Sequence, residues 1–238
     1  MIYKILPLIA FFLMTLTSNQ NASKISDPIK IASSLESTES DFETKAITVY
    51  NSLHGAAGVA MPAKKSFTKA LEGFYALKNK GIVKRDILTL VDFSLSSNQK
   101  RMWVIDLATN TVLYNSLVAH GRNTGNEWAK DFSNKAQSYQ SSLGFYVTGE
   151  IYTGKHGISL KLDGMERGIN DNARNRAVVV HGADYVSDSF IRNHSRLGRS
   201  QGCPAVPVEL AKPIISTIKD KSCLFIYHPS MKDSKIAS

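Results

Sequence analysis

The sequence predicts a mainly β domain with accessory helices, and three observations carry that expectation. After Gly81 the apolar residues fall in short runs bounded by turn residues, at 87–93, 101–106, 111–119, 144–148, 158–162 and 177–181. Before Gly81 they recur instead at helical spacing. The chain has 238 residues, 43% of them hydrophobic, which is enough for one substantial core and hardly enough for two.

Taken in order, residues 1–22 read as a secretory signal peptide. Lys4 precedes a mostly apolar run over 5–16, interrupted by Pro7 and followed by polar residues. That run is short for a bilayer span, so cleavage is expected rather than anchoring, with an uncleaved anchor as the alternative. No cysteine lies nearby to accept a lipid. From Asn19 to about Ser40 the sequence is rich in Ser, Asn, Thr and Glu with sparse apolar residues, the composition of a tether, and residues 23–40 are placed as disordered. Residues 41–80 form a helical extension. Phe42, Ala46, Val49, Tyr50 and Leu53 mark one helix, and Phe67, Ala70, Leu71, Phe74 and Tyr75 a second, after a break at 55–62. Two short helices cannot bury such stripes alone, so both are expected to pack on the main domain.

That domain is placed at 81–230. Residues 106–110 read as a hairpin turn, and 184–193 as a helix. A last helix is expected from about Lys212, with Pro213 in its first turn and Ile214, Ile215 and Ile218 on its buried side. The apolar run 223–227 supplies a final strand, and 231–238 is a polar tail.

The net charge of +9 fits several anionic partners, among them nucleic acid, a membrane surface and carboxylate-rich wall polymer. Export argues against nucleic acid. The two cysteines, Cys203 and Cys223, invite a disulfide in an oxidising compartment. Their settings differ, however. Cys203 follows Gly202 and precedes Pro204 in a turn, whereas Cys223 opens an apolar strand and reads as buried. Two cysteines twenty residues apart and scattered histidines make no metal-ligand set, so no metal or other cofactor is expected.

The chemistry gathers at Arg199-Ser200-Gln201-Gly202-Cys203-Pro204 and at Val178-Val179-Val180-His181-Gly182. A thiol attacks as thiolate and so needs a proton acceptor or a positive neighbour. His181, at the end of an apolar strand, is the candidate base, and Gly182 beside it lets another chain approach. Gly202 permits a turn whose Gly202 and Cys203 N–H groups point at a developing oxyanion. His120 and His156 are expected to be structural, and His194 and His228 receive no role. Arg196 and Arg199 are near the thiol in sequence and suit a peptide carboxylate, or equally are solvated charge. Tyr139 and Ser142 are candidate substrate contacts on a flap, or simply turn residues. Arg174 and Arg176 read as surface charge.

These two segments resemble the signature of the L,D-transpeptidase catalytic domain (the YkuD-like fold): a histidine, a spacer, then Ser/Thr-His-Gly-Cys. Here His181-Gly182 is followed, after a slightly longer spacer, by Ser200-Gln201-Gly202-Cys203. Gln201 replaces the second histidine, and Ala205 stands where the family often has Asn or Arg, which marks a divergent branch. The resemblance runs from about Leu88 to Tyr227 and leaves out the two helices. It implies a β-sandwich in which Cys203 is the nucleophile, His181 the base, and the Gly182 carbonyl orients the ring. Ser200 and Gln201 would shape the acyl pocket with Gly202. It further implies an exported, periplasmic enzyme acting on peptidoglycan stem peptides through a thioester, to form cross-links or release D-alanine. A catalytically silent peptidoglycan-binding module of the same fold is the alternative, and a general cysteine peptidase a third reading.

Overall fold

A computed structural model describes residues 41–155, 157–232, 234 and 236. The expected signal peptide, the tether and His156 lie outside the described residues. Element order is α1 (41–51), β1 (His54–Gly55), α2 (Lys64–Asn79), β2 (Ile87–Asp92), β3 (Met102–Asp106), β4 (Thr111–Ser116), β5 (Gly144–Gly154) and β6 (Gly157–Gly164). There follow β7 (Val179–Gly182), α3 (Asp188–His194), β8 (Ala205–Val206), α4 (Val208–Ile218) and β9 (Cys223–Tyr227). The mainly β class with accessory helices, two of them N-terminal, is what the sequence predicts.

All nine strands belong to one sheet, in the order β1-β4-β3-β2-β9-β5-β6-β7-β8. The central strands β2 and β9 run parallel to each other and are buried on both faces, which is why both read as unbroken apolar runs. Alternation along them sorts the side chains. Leu88, Leu90, Phe225 and Tyr227 face one cluster with Phe67, Ala70, Leu71, Phe74 and Leu77 of α2. Val91, Leu224 and Ile226 face the other, with Ala211, Ile214, Ile215 and Ile218 of α4. The tail contributes too: Ile236 is buried in the α2 cluster, and Lys80 donates to its carbonyl at 2.8 Å.

The second cluster also holds Met102 and Val104 of β3 together with Leu160, Val180 and Val206 of β6, β7 and β8, so the far strands return to the same core. The chain beyond β4 closes the gap. Ala119 bridges Ala205, and Gly121 bridges Ser200. The rolled sheet thereby encloses its inner face and brings residues 117–122 alongside β8.

Two expectations on elements are corrected. Strand β5 runs on to Gly154, past Thr148, because it forms a projecting hairpin with β6 whose ladder supplies the backbone hydrogen bonds although the side chains of 151–153 are exposed. Helix α4 begins at Val208, not Lys212, which puts Pro213 in its interior. Pro213 offers no N–H to the Glu209 carbonyl, and Glu209 sits on the exposed side of the first turn.

Candidate functional site

Four segments distant in sequence meet at Cys203: the turn 200–203, strand β7 with its lead-in from Arg176, the extension 117–122 of β4, and the stretch 138–142 before β5. The turn is built locally. Ser200 Oγ donates to the Cys203 carbonyl at 2.6 Å and accepts from the Gly202 N–H at 3.0 Å, a hydroxyl substituting for a backbone turn bond. Gly202 has φ +121°, and a Cβ there would lie 2.7 Å from the Gln140 carbonyl oxygen. Only glycine meets both demands. A Cβ on Gly121 would in turn come within 2.9 Å of the Gly202 Cα, so the extension of β4 seals the turn from behind.

Both cysteines are free, so no disulfide joins them. Cys223 begins β9, fully buried, and burial pushes its thiol far above the ordinary range. Cys203 is half-buried, and its Sγ donates to the Ala177 carbonyl at 3.7 Å. Burial pushes the Cys203 thiol up, while the Val179 N–H and the Arg176 guanidinium pull it back. Tyr185 lies in the loop after β7, and burial lifts its hydroxyl to about 12, with the charges of Cys203 and Asp184 adding to the effect.

His181 is buried within β7, directly across from Ala205 in the parallel β7–β8 pair. Cys203 precedes Ala205 by two residues, at the end of the turn that leads into β8. Val178 and Val180 point into the main core, so His181, two residues on from Val179, takes the opposite face. Ala205 shares that outer face, packing with Ala119, Ala183, Val186 and Leu197. The His181 Nδ1 lies 2.9 Å from the Gly182 carbonyl oxygen, which can only accept. Nδ1 therefore carries the proton, and Nε2 is the basic nitrogen of the neutral ring. Gly182 faces Val206, and a Cβ on it would come within 2.9 Å of the Ala211 Cβ, so the close approach made there is that of α4.

Residues 60–227 match the family model of the L,D-transpeptidase catalytic domain, most of the chain. The chain belongs to this family. The matched span takes in α2, which the resemblance in the sequence left out, and the packing of α2 on the sheet agrees with that wider extent. A comparison with curated proteins finds no match. Among solved structures, an L,D-transpeptidase from Mycobacterium smegmatis is 10% identical with a TM-score of 0.37, over 60% of this chain and 59% of that one. A C442S mutant of the Enterococcus faecium L,D-transpeptidase is 11% identical with a TM-score of 0.36, over 61% and 50%. Residues 123–326 of the Xylanimonas cellulosilytica L,D-transpeptidase are 12% identical with a TM-score of 0.34, over 79% and 93%. The chain thus spans about three fifths of the first of these.

Within this L,D-transpeptidase domain, several residues read from the sequence have partners of their own in the fold. The Gly202 N–H is spent on Ser200. Ser200 builds the turn, and Gln201 is exposed at its tip. Arg199 is engaged by the Arg122 and Gly125 carbonyls and Asn126 Oδ1 at 2.8–3.1 Å, pinning the 122–126 loop, and Arg196 donates to the Leu197 carbonyl at 2.7 Å. Tyr139 has φ +55° and lies under the Arg122 guanidinium, 3.9 Å from ring centroid to its carbon, at the rim of the turn. Ser142 is buried and donates to the Ser133 carbonyl at 2.7 Å.

The surface reading holds for Arg174, which pairs with Glu150 and Asp163, and fails for Arg176. Sequence reasoning missed Arg176, Ala177 and Tyr185 at the thiol. Ala177 adopts φ +54°, a conformation no alanine signals in advance, and that bend presents its carbonyl to the sulfur. The adjacency of Arg176 and Tyr185 to the buried β7 segment was the one available cue.

His120 is structural, as expected. It accepts at Nδ1 from the Arg101 Nη2 at 2.8 Å, a bond that an arginine can only donate, so Nε2 bears the proton toward the Gly125 carbonyl 3.4 Å away. Burial and the neighbouring Arg101 charge hold this imidazole down to about 3.

Proposed function

We propose that this protein is an exported, cysteine-dependent L,D-transpeptidase acting on peptidoglycan stem peptides. The observation that carries the proposal is a free, half-buried thiol at Cys203, in a glycine turn two residues before Ala205, the β8 residue paired with His181, a buried histidine whose Nδ1 is engaged by its neighbour's carbonyl. The substrate class comes from the family.

Cys203 Sγ, as thiolate, attacks the carbonyl carbon between the third residue of a stem tetrapeptide and its terminal D-alanine. His181 Nε2 takes the thiol proton and returns it to the leaving amine, so that D-alanine departs and a thioester remains. The Cys203 N–H is the donor we assign to the oxyanion, since that of Gly202 is committed to Ser200. An acceptor amine then forms the cross-link, or water gives carboxypeptidase release. Export through residues 1–22 places the reaction at the cell envelope, probed by fractionation of the full chain. Among the described residues no helix is long and apolar enough to cross a membrane.

The test is incubation of the full-length protein with disaccharide-tetrapeptides, reading D-alanine release and cross-linked dimers by mass. The wild type should give both or the former, and Cys203→Ala neither. A carbapenem should add once to the wild type and not to Cys203→Ala. Equal activity in both proteins rules out the nucleophile, and no turnover or adduct from the wild type leaves a silent binding module.

A further inference from the structure

Arg176 ends the turn that leads into β7, and its guanidinium reaches across to the stretch before β5. Nη1 donates to the Ser133 carbonyl at 2.7 Å and to Ser142 Oγ at 2.5 Å. Nη2 donates to the Gln140 carbonyl at 2.6 Å and to Ser138 Oγ at 3.3 Å. All four acceptors are neutral, so the fork is held rigidly while its charge is left uncompensated by them. The same Nη2 lies over the thiol turn, 3.4 Å from where a Cβ on Gly202 would be, and the Gln140 carbonyl it grips is the atom that abuts Gly202.

The sulfur donates to the Ala177 carbonyl in the lead-in to β7. The Val179 N–H of β7 and the Arg176 guanidinium oppose the effect of burial on the thiol, and Tyr185 in the loop that follows is coupled to the same sulfur electrostatically. His181 lies two residues on from Val179 along β7, and the Tyr146 hydroxyl of β5 is coupled electrostatically to the guanidinium. Both tyrosines are buried phenols that stay neutral at physiological pH. A guanidinium does not titrate there either, but it stays charged.

We propose that Arg176 is a positioning residue of the thiol site: its fork clamps residues 138–140 onto the 200–203 turn and fixes a permanent positive charge beside Cys203 Sγ, favouring the attacking thiolate. This deepens the function proposed above and rests on Cys203 as its nucleophile. The clamp accounts for the order of a serine-rich segment with little apolar packing of its own. The charge supplies an electrostatic bias toward thiolate that is present before any proton moves.

The experiment follows single-adduct alkylation of Cys203 by iodoacetamide against pH, using intact mass, with Cys223 silent because it is buried. Arg176→Gln removes the charge and should move the half-point up by about one pH unit, slowing alkylation at pH 7 about tenfold. Arg176→Lys keeps the charge and should leave the half-point near that of the wild type while kcat for D-alanine release falls through loss of the fork. An unmoved half-point in Arg176→Gln, or an equal shift in both variants, overturns the inference. Thermal melts monitor folding. Should Arg176→Gln melt below the assay temperature, Arg176→Lys decides alone, because a full-unit displacement there overturns the assignment and an unmoved half-point supports it. Alkylation reads the sulfur whether or not a stem peptide turns over, so a wild type that alkylates normally but releases no D-alanine sinks the proposed activity and not this inference.

Discussion

Gly202 carries two constraints that no other residue type satisfies together, a positive φ and a Gln140 carbonyl oxygen in the space a side chain would occupy. Gly202→Ala should therefore cost about 1–3 kcal/mol in stability through backbone strain. It should cost more in activity, because the turn can relieve the overlap only by moving the Cys203 N–H and sulfur. Urea denaturation and D-alanine release on the same preparation measure the two effects, and an alanine variant with wild-type turnover contradicts the role given to this turn. The environment of Cys203 is a balance in which burial raises the thiol and a backbone N–H and Arg176 oppose it.

At the level of elements, α2 is a structural part of the domain although it contributes nothing to the site. Its buried stripe at Phe67, Ala70, Leu71, Phe74 and Leu77 covers the face of β2 and β9 opposite the α4 core. Phe74 is wholly buried there, and Phe74→Ala should cost about 3–5 kcal/mol, with the cavity falling under the central strands. Because those strands carry β5 and through it the whole β6-β7-β8 side of the sheet, the loss should lower the melting temperature for the entire domain as one transition. A melt that shows α2 detaching alone, with the thiol site intact, argues against this coupling. The helix α4 acts on the site more directly, since Ala211 and Val208 pack on Gly182 at the end of the strand that holds His181.

For the whole molecule, acid stability turns on the buried Arg101–His120 pair. Arg101 is fully buried, donates to the Leu95 and Val118 carbonyls, and is pushed down to about 9 by its burial. His120 is held down to about 3 in the fold, against about 6.5 for an unfolded histidine. Between those values the unfolded chain binds a proton that the folded chain refuses, so the stability present above pH 6.5 is lost as pH falls toward 3. From pH 6.5 to pH 5 this single residue should remove about 2 kcal/mol, read from urea unfolding at the two values. His120→Gln retains an acceptor for Arg101 without a titrating ring and should flatten that dependence. Asp163, held below the usual carboxylate range chiefly by Arg174, adds a loss at lower pH and in the same direction.

By itself the sequence determined the β class, most strands, the two N-terminal helices and the Gly202-Cys203 and His181-Gly182 pairs, because those features rest on local periodicity and on residue types whose chemistry is fixed. Pro213 misled the reading of α4 because a proline's cost depends on whether its unpaired carbonyl reaches water, which no local pattern records. Tertiary structure alone decided that Arg176 lies over the thiol while Arg174 two residues away faces solvent, that Arg199 holds a loop, and that Ile236 is buried. Each of these depends on which distant segment arrives at a given face once the sheet has rolled and the chain beyond β4 has met β8. Side-chain environment is a property of that closure, and a linear pattern carries residue type without it.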